Sequence, residues 1–119
     1  MAVLALAQQE VHEYLAGARR RFTVPLELEG SEFFRRVWDV LRSIPYGHTL
    51  TYTALAAKAQ RPRAVRAAGA ACALNPVPLI IPCHRAVGSN GALTGFGGGL
   101  AMKEALLRME GALAGKGIQ

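Results

Sequence analysis

Apolar positions along the chain fall first into helical, then alternating, then again helical order. Leu4, Ala7, Val11, Tyr14 and Leu15 recur three or four places apart and stop at Gly17, which predicts an N-terminal helix. After Arg19-Arg20-Arg21, the residues Phe22, Val24, Leu26 and Leu28 alternate with Thr23, Pro25, Glu27 and Glu29. That period of two predicts a strand, and Pro25, lacking an N–H, confines it to a sheet edge. Ser31 is placed to cap a helix whose stripe is Phe34, Val37, Trp38 and Leu41, ending before Pro45-Tyr46-Gly47. Core packing accounts for the spacing of those aromatics. The arginine run reads as a solvated connector, with DNA contact as the other reading.

Two short helices follow. Thr51 can cap one from Tyr52 to about Ala59, with Leu55 inward; Pro62 sits where a first-turn proline belongs in a second that runs to Leu74. Asn75-Pro76 stops it. A tight turn at Gln60-Arg61 makes the pair read as a helix-turn-helix, although any antiparallel helical pair has this outline. The run Asn75-Pro76-Val77-Pro78-Leu79-Ile80-Ile81 then predicts a loop and a short buried strand entering Pro82-Cys83-His84-Arg85. Beyond it, Gly88, Gly91, Gly95, Gly97, Gly98 and Gly99 surround Phe96. The stretch lacks the Gly-Lys-Ser/Thr ending of a phosphate-cradling loop and reads as a pocket rim with Phe96 as a stacking face, or as an ordinary turn. A last helix is expected from Leu100 to Gly111, with Leu106, Leu107 and Met109 inward.

With 119 residues, 51% of them hydrophobic, the chain suits one domain with a modest core. No apolar run reaches the ~18 residues of a membrane span. The opening Met1 to Ala7 lacks the basic start of a signal peptide, so a cytoplasmic protein is expected. Cys72 and Cys83 have no zinc-type spacing, and His12, His48 and His84 are scattered, so reduced thiols and no metal site are expected. Fourteen Lys and Arg against eight acids give a formal +6, which suits a polyanionic partner or simply a basic surface. Arginine dominates, and its forked guanidinium suits phosphate.

Cys83 is the likeliest reactive atom by its setting, since neighbouring His⁺ or Arg draws a thiol pKa toward neutrality. The plainer reading is a small buried hydrophobe. Side chains of consecutive strand residues point apart, so His84 reaches Cys83 only through a chain turn or a bridging water. Glu110 stands in the final helical turn, where a carboxylate opposes the helix dipole and needs compensation. A relay of Cys83, water, His84 and Glu110 meets both conditions, with Glu110 fixing the imidazole tautomer. The second short helix carries Ala64, Ala67, Ala68, Gly69, Ala70, Ala71, Cys72 and Ala73. An ordinary helix is about 10–12 Å across and the DNA minor groove about 6 Å wide, so only a helix pared to Ala and Gly could lie deep in it. Close packing against neighbouring helices is the other explanation. Arg63 and Arg66, three apart, are expected on one face.

From Phe34 to Gly111 the chain resembles the C-terminal domain of the O6-alkylguanine-DNA alkyltransferases, the methylated-DNA–protein-cysteine methyltransferases. The matching residues are Val37-Trp38, Leu41, Ile44-Pro45-Tyr46-Gly47, Tyr52, Arg66-Ala67-Ala68-Gly69 and Asn75-Pro76. They continue through Ile81-Pro82-Cys83-His84-Arg85 and Gly98-Gly99-Leu100 to Lys103 and Glu110. The resemblance implies residues 1–30 as a helix and connecting edge strand, and 31–119 as the DNA-binding and active-site domain. The fold expected is mainly α, a winged-helix-like helix-turn-helix domain with a small β component.

The activity implied is direct repair. A flipped O6-alkylguanine in double-stranded DNA would lose its alkyl group irreversibly to Cys83, with no cofactor. By the same resemblance, Tyr52 would hydrogen bond the flipped base and crowd the rotating phosphate, and Asn75 would shape the turn into the site. His84 and Glu110 would complete the relay. Arg66 would fill the gap in the stack, with Arg63, Ala67, Gly69 and Arg85 among the DNA-binding residues. Cys72, Phe96 and Gly97 would line the substrate pocket. Phe96 stands where a tyrosine is also familiar, and Cys72 where a bulkier apolar residue occurs. Many members carry a further N-terminal α/β domain, whereas about thirty residues precede the match here. A monomer is expected. The alternative is an alkyltransferase-like protein that binds the lesion and recruits partners such as nucleotide-excision-repair proteins; members of that class replace the motif cysteine. A plain helix-turn-helix regulator would leave Cys83, His84 and Glu110 without a task.

Overall fold

The computed structural model describes residues 2–88 and 99–112. Five helices and one two-stranded sheet make up the described chain, in agreement with the mainly helical, helix-turn-helix expectation. Helix α1 spans Ala2–Leu15 and is closed by Gly17 in the left-handed region, φ 80°. Helix α2 spans Glu32–Ser43, and Ser31 caps it by accepting a hydrogen bond from the Phe34 amide at 3.0 Å. Its buried face is Phe33, Val37, Trp38 and Leu41, so Phe33 rather than Phe34 fills the first inward place.

Strand β1 (Leu50–Thr51) runs straight into α3 (Tyr52–Lys58), with Thr51 as N-cap to the Ala54 amide. Helix α4 spans Val65–Ala73. It starts three residues later than the proline suggested, because the chain first makes a turn in which the Ala64 amide donates to the Arg61 carbonyl. Pro62 and Arg63 lie in that turn, so Arg63 does not share a helical face with Arg66. The tight reversal before it is at Gln60, φ 73°.

Helices α2, α3 and α4 pack on one core of Val37, Trp38, Leu41, Leu55, Ala68, Ala71 and their neighbours. Burial of such apolar surface, about 25 cal/mol per Å², is the main drive for this arrangement. Polar ties fix the angles: the Trp38 indole donates to the Ala71 carbonyl at 2.9 Å, and Arg36 Nε to the Ala59 carbonyl at 2.9 Å.

Neither longer strand expected from the apolar pattern forms. Residues 22–28 pair with no strand among the described residues; the amides of Thr23 and Val24 donate instead to the Glu10 carboxylate, at 2.8 and 3.1 Å. Residues 77–81 form a tight loop with a single bridge between Pro78 and Ile81 and with Leu79 at φ 76°. Asn75 closes that loop, accepting from the Val77 amide and donating to the Ile81 carbonyl at 2.7 Å. The sheet is instead β1 paired in parallel with β2 (Ala86–Val87), Leu50 opposite Ala86 and Thr51 opposite Val87.

A 3-10 turn, Cys83–Arg85, leads directly into β2. This pairing carries the start of α3 up beside the Cys-His-Arg turn. Helix α5 spans Leu100–Met109, with Lys103, Leu106 and Leu107 buried. Met109 is partly exposed rather than inward.

Glu10 anchors the N-terminal segment. It is fully buried, accepts from both amides and the hydroxyl of Thr23–Val24, and pairs with Arg19 at 3.3 Å. Glu10→Ala leaves the buried Val24 amide, and the more exposed Thr23 amide, without their acceptor and is expected to cost about 1–3 kcal/mol. Urea unfolding of the two proteins measures it, and an unchanged midpoint would contradict the role.

Candidate active site

The Cys83–Arg85 turn is the centre of the site because three buried polar side chains in a row cannot be left without partners. A 3-10 helix advances about a third of a turn per residue, so the three side chains fan out in different directions. The bend therefore replaces the strand geometry that would have set Cys83 and His84 back to back. His84 and Arg85 turn toward the end of α5, while Cys83 is left on the side of Asn75 and Lys103.

Arg85 and His84 both reach Glu110, which follows the last turn of α5 and is buried. Arg85 donates from Nε to Oε1 and from Nη2 to Oε2, each at 2.9 Å, and from Nη1 to the Ile44 carbonyl at 2.7 Å. His84 Nε2 lies 2.8 Å from Glu110 Oε2. The Tyr14 hydroxyl of α1 donates to the same Oε2. Burial pushes the Glu110 carboxyl up, but hydrogen bonds from His84 and Arg85, with help from Tyr14, outweigh it and hold the group at about 2. The carboxylate is thus ionised at neutral pH and can only accept.

An acceptor-only Oε2 requires the proton on His84 Nε2, which leaves Nδ1 as the lone-pair nitrogen of the neutral ring. That Nδ1 is fully buried and is the one buried side-chain polar atom without a partner among the described residues. A bare, oriented acceptor of this kind is what a relay through water to a neighbouring proton donor requires.

Cys83 is buried, 5% exposed. Burial pushes its thiol above the ordinary value of 9.0, against the opposing pull of an Asn75 hydrogen bond and the positive charge of Lys103. The expected lowering by adjacent His and Arg does not occur, because Arg85 is spent on Glu110 and Ile44. The resting group is a neutral thiol. Cys72, buried on α4 in the same core, is pushed up to about 12 by burial, with Cys83 adding to it.

The Ile44-Pro45-Tyr46-Gly47 segment supports this cluster from below. The Tyr46 ring lies under two guanidinium groups, Arg20 at 5.0 Å and Arg85 at 5.7 Å from its centroid. Gly47, φ 86°, sits where a Cβ would come within 3.1 Å of the Glu110 carbonyl, so only glycine meets both the conformation and the approach.

Tyr52, half-buried at the start of α3, accepts from Lys103 Nζ at 3.4 Å and has that ammonium 5.6 Å from its ring centroid. Lys103 is fully buried, and burial draws its pKa down while the two thiols raise it. Cys83, His84, Arg85, Glu110, Tyr52 and Asn75 are therefore joined through direct contacts or through Lys103. Arg66 is exposed on α4, Ala67 and Gly69 are half-buried there, and Arg63 stands apart in the preceding turn. Phe96 and Gly97 lie outside the described residues.

Two members of the cluster, Tyr14 and Lys103, were not among the candidate site residues. Lys103 had a signal: it shares the i, i+3, i+4 stripe of Leu106 and Leu107, which puts a charge on a buried face. Tyr14 had a weaker one, a core-stripe position whose hydroxyl needs a partner. A cleft of about 800 Å³ beside Arg85 is lined by Arg20, Arg42, Tyr46 and Pro82 among others, but not by Cys83. The side chains rather than that concavity locate the chemistry.

Residues 32–112 match the protein family described as 6-O-methylguanine DNA methyltransferase, DNA binding domain. The inducible methylated-DNA–protein-cysteine methyltransferase of Bacillus subtilis (strain 168) is 50% identical over 101 residues, 85% of this chain and 56% of the relative. The crystal structure of Mycobacterium tuberculosis OGT in complex with DNA superposes with a TM-score of 0.84 at 45% identity, covering 87% of this chain and 63% of that one. S. pombe Atl1, in complex with damaged DNA containing O6-carboxymethylguanine, superposes at 0.61 with 28% identity, covering 71% and 80%. The chain thus spans less than two thirds of the first two of these proteins.

The depressed Glu110 pKa sets the sign of an acid effect. Its folded value, about 2, lies below its ordinary 4.5, so the stability it supplies is complete above pH 4.5 and is lost as pH falls toward 2. Urea midpoints between pH 7 and pH 2 are expected to fall for the parent, and less steeply for a Glu110→Gln variant that is already weaker at pH 7. Parallel curves would contradict the assignment.

Proposed function

The chain belongs to the family of the 6-O-methylguanine DNA methyltransferase DNA-binding domain, and on that premise we propose that it is a single-use DNA repair protein. It takes the alkyl group from O6 of guanine in duplex DNA onto its own Cys83. The observation that carries this reading is the buried neutral thiol of Cys83 beside an imidazole whose Nε2 is tied to Glu110 and whose Nδ1 is bare.

The step runs as a displacement. Through water, the thiol proton passes to His84 Nδ1 as the sulfur attacks the alkyl carbon. The S–C bond forms, the C–O6 bond breaks, and its electron pair goes to the guanine, which takes up one proton to balance the one the thiol gave. Tyr52, with the Lys103 ammonium donating to its oxygen, is the hydrogen-bond donor to the departing base. A thioether has no leaving group, so each protein acts once. Withholding the thiolate until the relay acts protects a buried nucleophile from other electrophiles.

Helix α4 supports the DNA part of the proposal. A Cβ on Gly69 would meet nothing within 4 Å, so its small size is not demanded by packing inside the protein. It suits instead an external surface that comes close, as a minor groove would. Arg66, exposed and in no ion pair among the described residues, is placed on this helix to fill the stack when the base is turned out, at a cost of a few kcal/mol for flipping. The formal +6 adds sequence-independent affinity for the phosphates. The free thiols suit a reducing compartment such as the cytoplasm, and a monomer suffices for a site built from one chain.

Duplex DNA bearing one O6-methylguanine, mixed with the protein, is expected to add one methylene mass, about 14 Da by formula, to the Cys83 peptide and to stop at one group per molecule. Cys83→Ser is expected to take up nothing while still binding the lesion. Tight lesion binding by the parent without any mass gain would instead support a damage sensor that recruits other repair factors. Uptake by Cys83→Ser would sink the mechanism.

A further inference from the structure

Helix α1 lies ahead of the matched family segment, and its polar contribution to the site has no place in the relay as described so far. We propose that Tyr14 is a positioning residue of the transfer reaction: its hydroxyl fixes the Glu110 carboxylate against His84, and through them the ring nitrogen that takes the Cys83 proton. The proposal rests on the alkyl-transfer reading for its effect on rate, and on geometry alone for its effect on His84.

Among the described residues, Glu110 Oε2 takes three donors, Tyr14 Oη, His84 Nε2 and Arg85 Nη2, while Oε1 takes one, Arg85 Nε. The hydroxyl is therefore directed to the oxygen that faces the imidazole, and it lies 3.4 Å from His84 Nε2 itself. Arg85 alone grips the carboxylate edge-on and balances its charge. The two-point fork fixes the carboxylate in its own plane but leaves it free to tilt out of that plane, and the Tyr14 contact to Oε2 restricts that tilt. The direction matters because His84 Nε2 must find an acceptor in one place for Nδ1 to stay bare.

Tyr14 is itself fixed more firmly than a surface hydroxyl could be. It is fully buried, with its ring 5.4 Å from Phe22, 6.2 Å from Tyr46 and 6.5 Å from His84 between centroids. Burial, followed by the Glu110 contact, pushes its hydroxyl above the ordinary value, so it stays a donor at any working pH. One turn earlier on the same helical face, Glu10 clamps α1 to Thr23 and Val24. The segment ahead of α2 thus behaves as part of the reaction centre rather than as a tether.

Tyr14→Phe in the full chain keeps the ring and deletes the hydroxyl. Three readouts apply: the His84 ring 15N shifts, the single-turnover methyl-transfer rate, and duplex affinity with thermal melting. Expected are a mixed His84 tautomer with Nδ1–H populated and a transfer rate down roughly tenfold, a fraction of what a general base supplies. Affinity stays close to the parent, and melting falls by no more than the loss of one buried hydrogen bond to a charged group, with the protein still folded at the assay temperature. An unchanged tautomer with a rate within about twofold of the parent overturns the proposal. So does a rate loss that merely tracks lost folding or lost DNA binding. Should the parent transfer no methyl group, the alkyl-transfer reading has failed, and the 15N shifts alone still decide whether Tyr14 sets the His84 tautomer.

Discussion

Glu110 is buried at the C-terminal end of α5, where the helix dipole opposes it, and its charge is held there by donors from separate elements. Arg85 and His84 come from the 3-10 turn and Tyr14 from α1. A buried ion pair of this kind adds little net stability compared with an apolar contact, because desolvation offsets the attraction. Removing one partner, by contrast, strands a charge and costs about 3–5 kcal/mol. The cluster is therefore better understood as a device that forces α1, the Cys-His-Arg turn and α5 into one register than as a source of stability.

From that constraint the chemistry follows. An ionised carboxylate accepts and cannot donate, so it dictates the His84 tautomer, and the tautomer dictates which nitrogen is the base. Burial keeps the thiol neutral, outweighing the Asn75 hydrogen bond and the Lys103 charge, and Arg85 is committed to Glu110 and the Ile44 carbonyl. The parallel pairing of β1 with β2 then brings Tyr52 to the same place, since α3 begins where β1 ends. Two residues of strand on each side are enough, because the pairing has to align two short turns and not to build a core.

Much of this was legible in the sequence where local rules suffice. Ser31 and Thr51 as caps, the Val37-Trp38-Leu41 stripe and the short α3–α4 pair each depend on neighbours within a turn or two. The Glu110–His84 contact was also legible, because an acid at the wrong end of a helix demands an explanation. What failed were the two predicted strands. Residues 22–28 have a strand's pattern, yet their amides found a carboxylate on α1 before they found another strand. Residues 77–81 are apolar enough for a strand, but the Asn75 side chain closes them into a loop. In both cases a polar side chain outside the apolar pattern took the backbone donors or acceptors. Tyr14 and Lys103 escape the pattern for a related reason, since a helical period places a stripe residue in the core and is silent on where its polar tip goes.

The central claim is that Cys83 rests as a thiol and depends on the His84–Glu110 relay for its activation. Thiolate absorbance near 240 nm, followed against pH in the free protein with Cys72→Ala as background, measures it most directly. The account predicts no thiolate signal from Cys83 through neutral pH, with the rise displaced above the ordinary value of 9.0. A thiolate already present at pH 7 would mean that Cys83 is activated by charge alone, and the relay built on Glu110 would have nothing left to do.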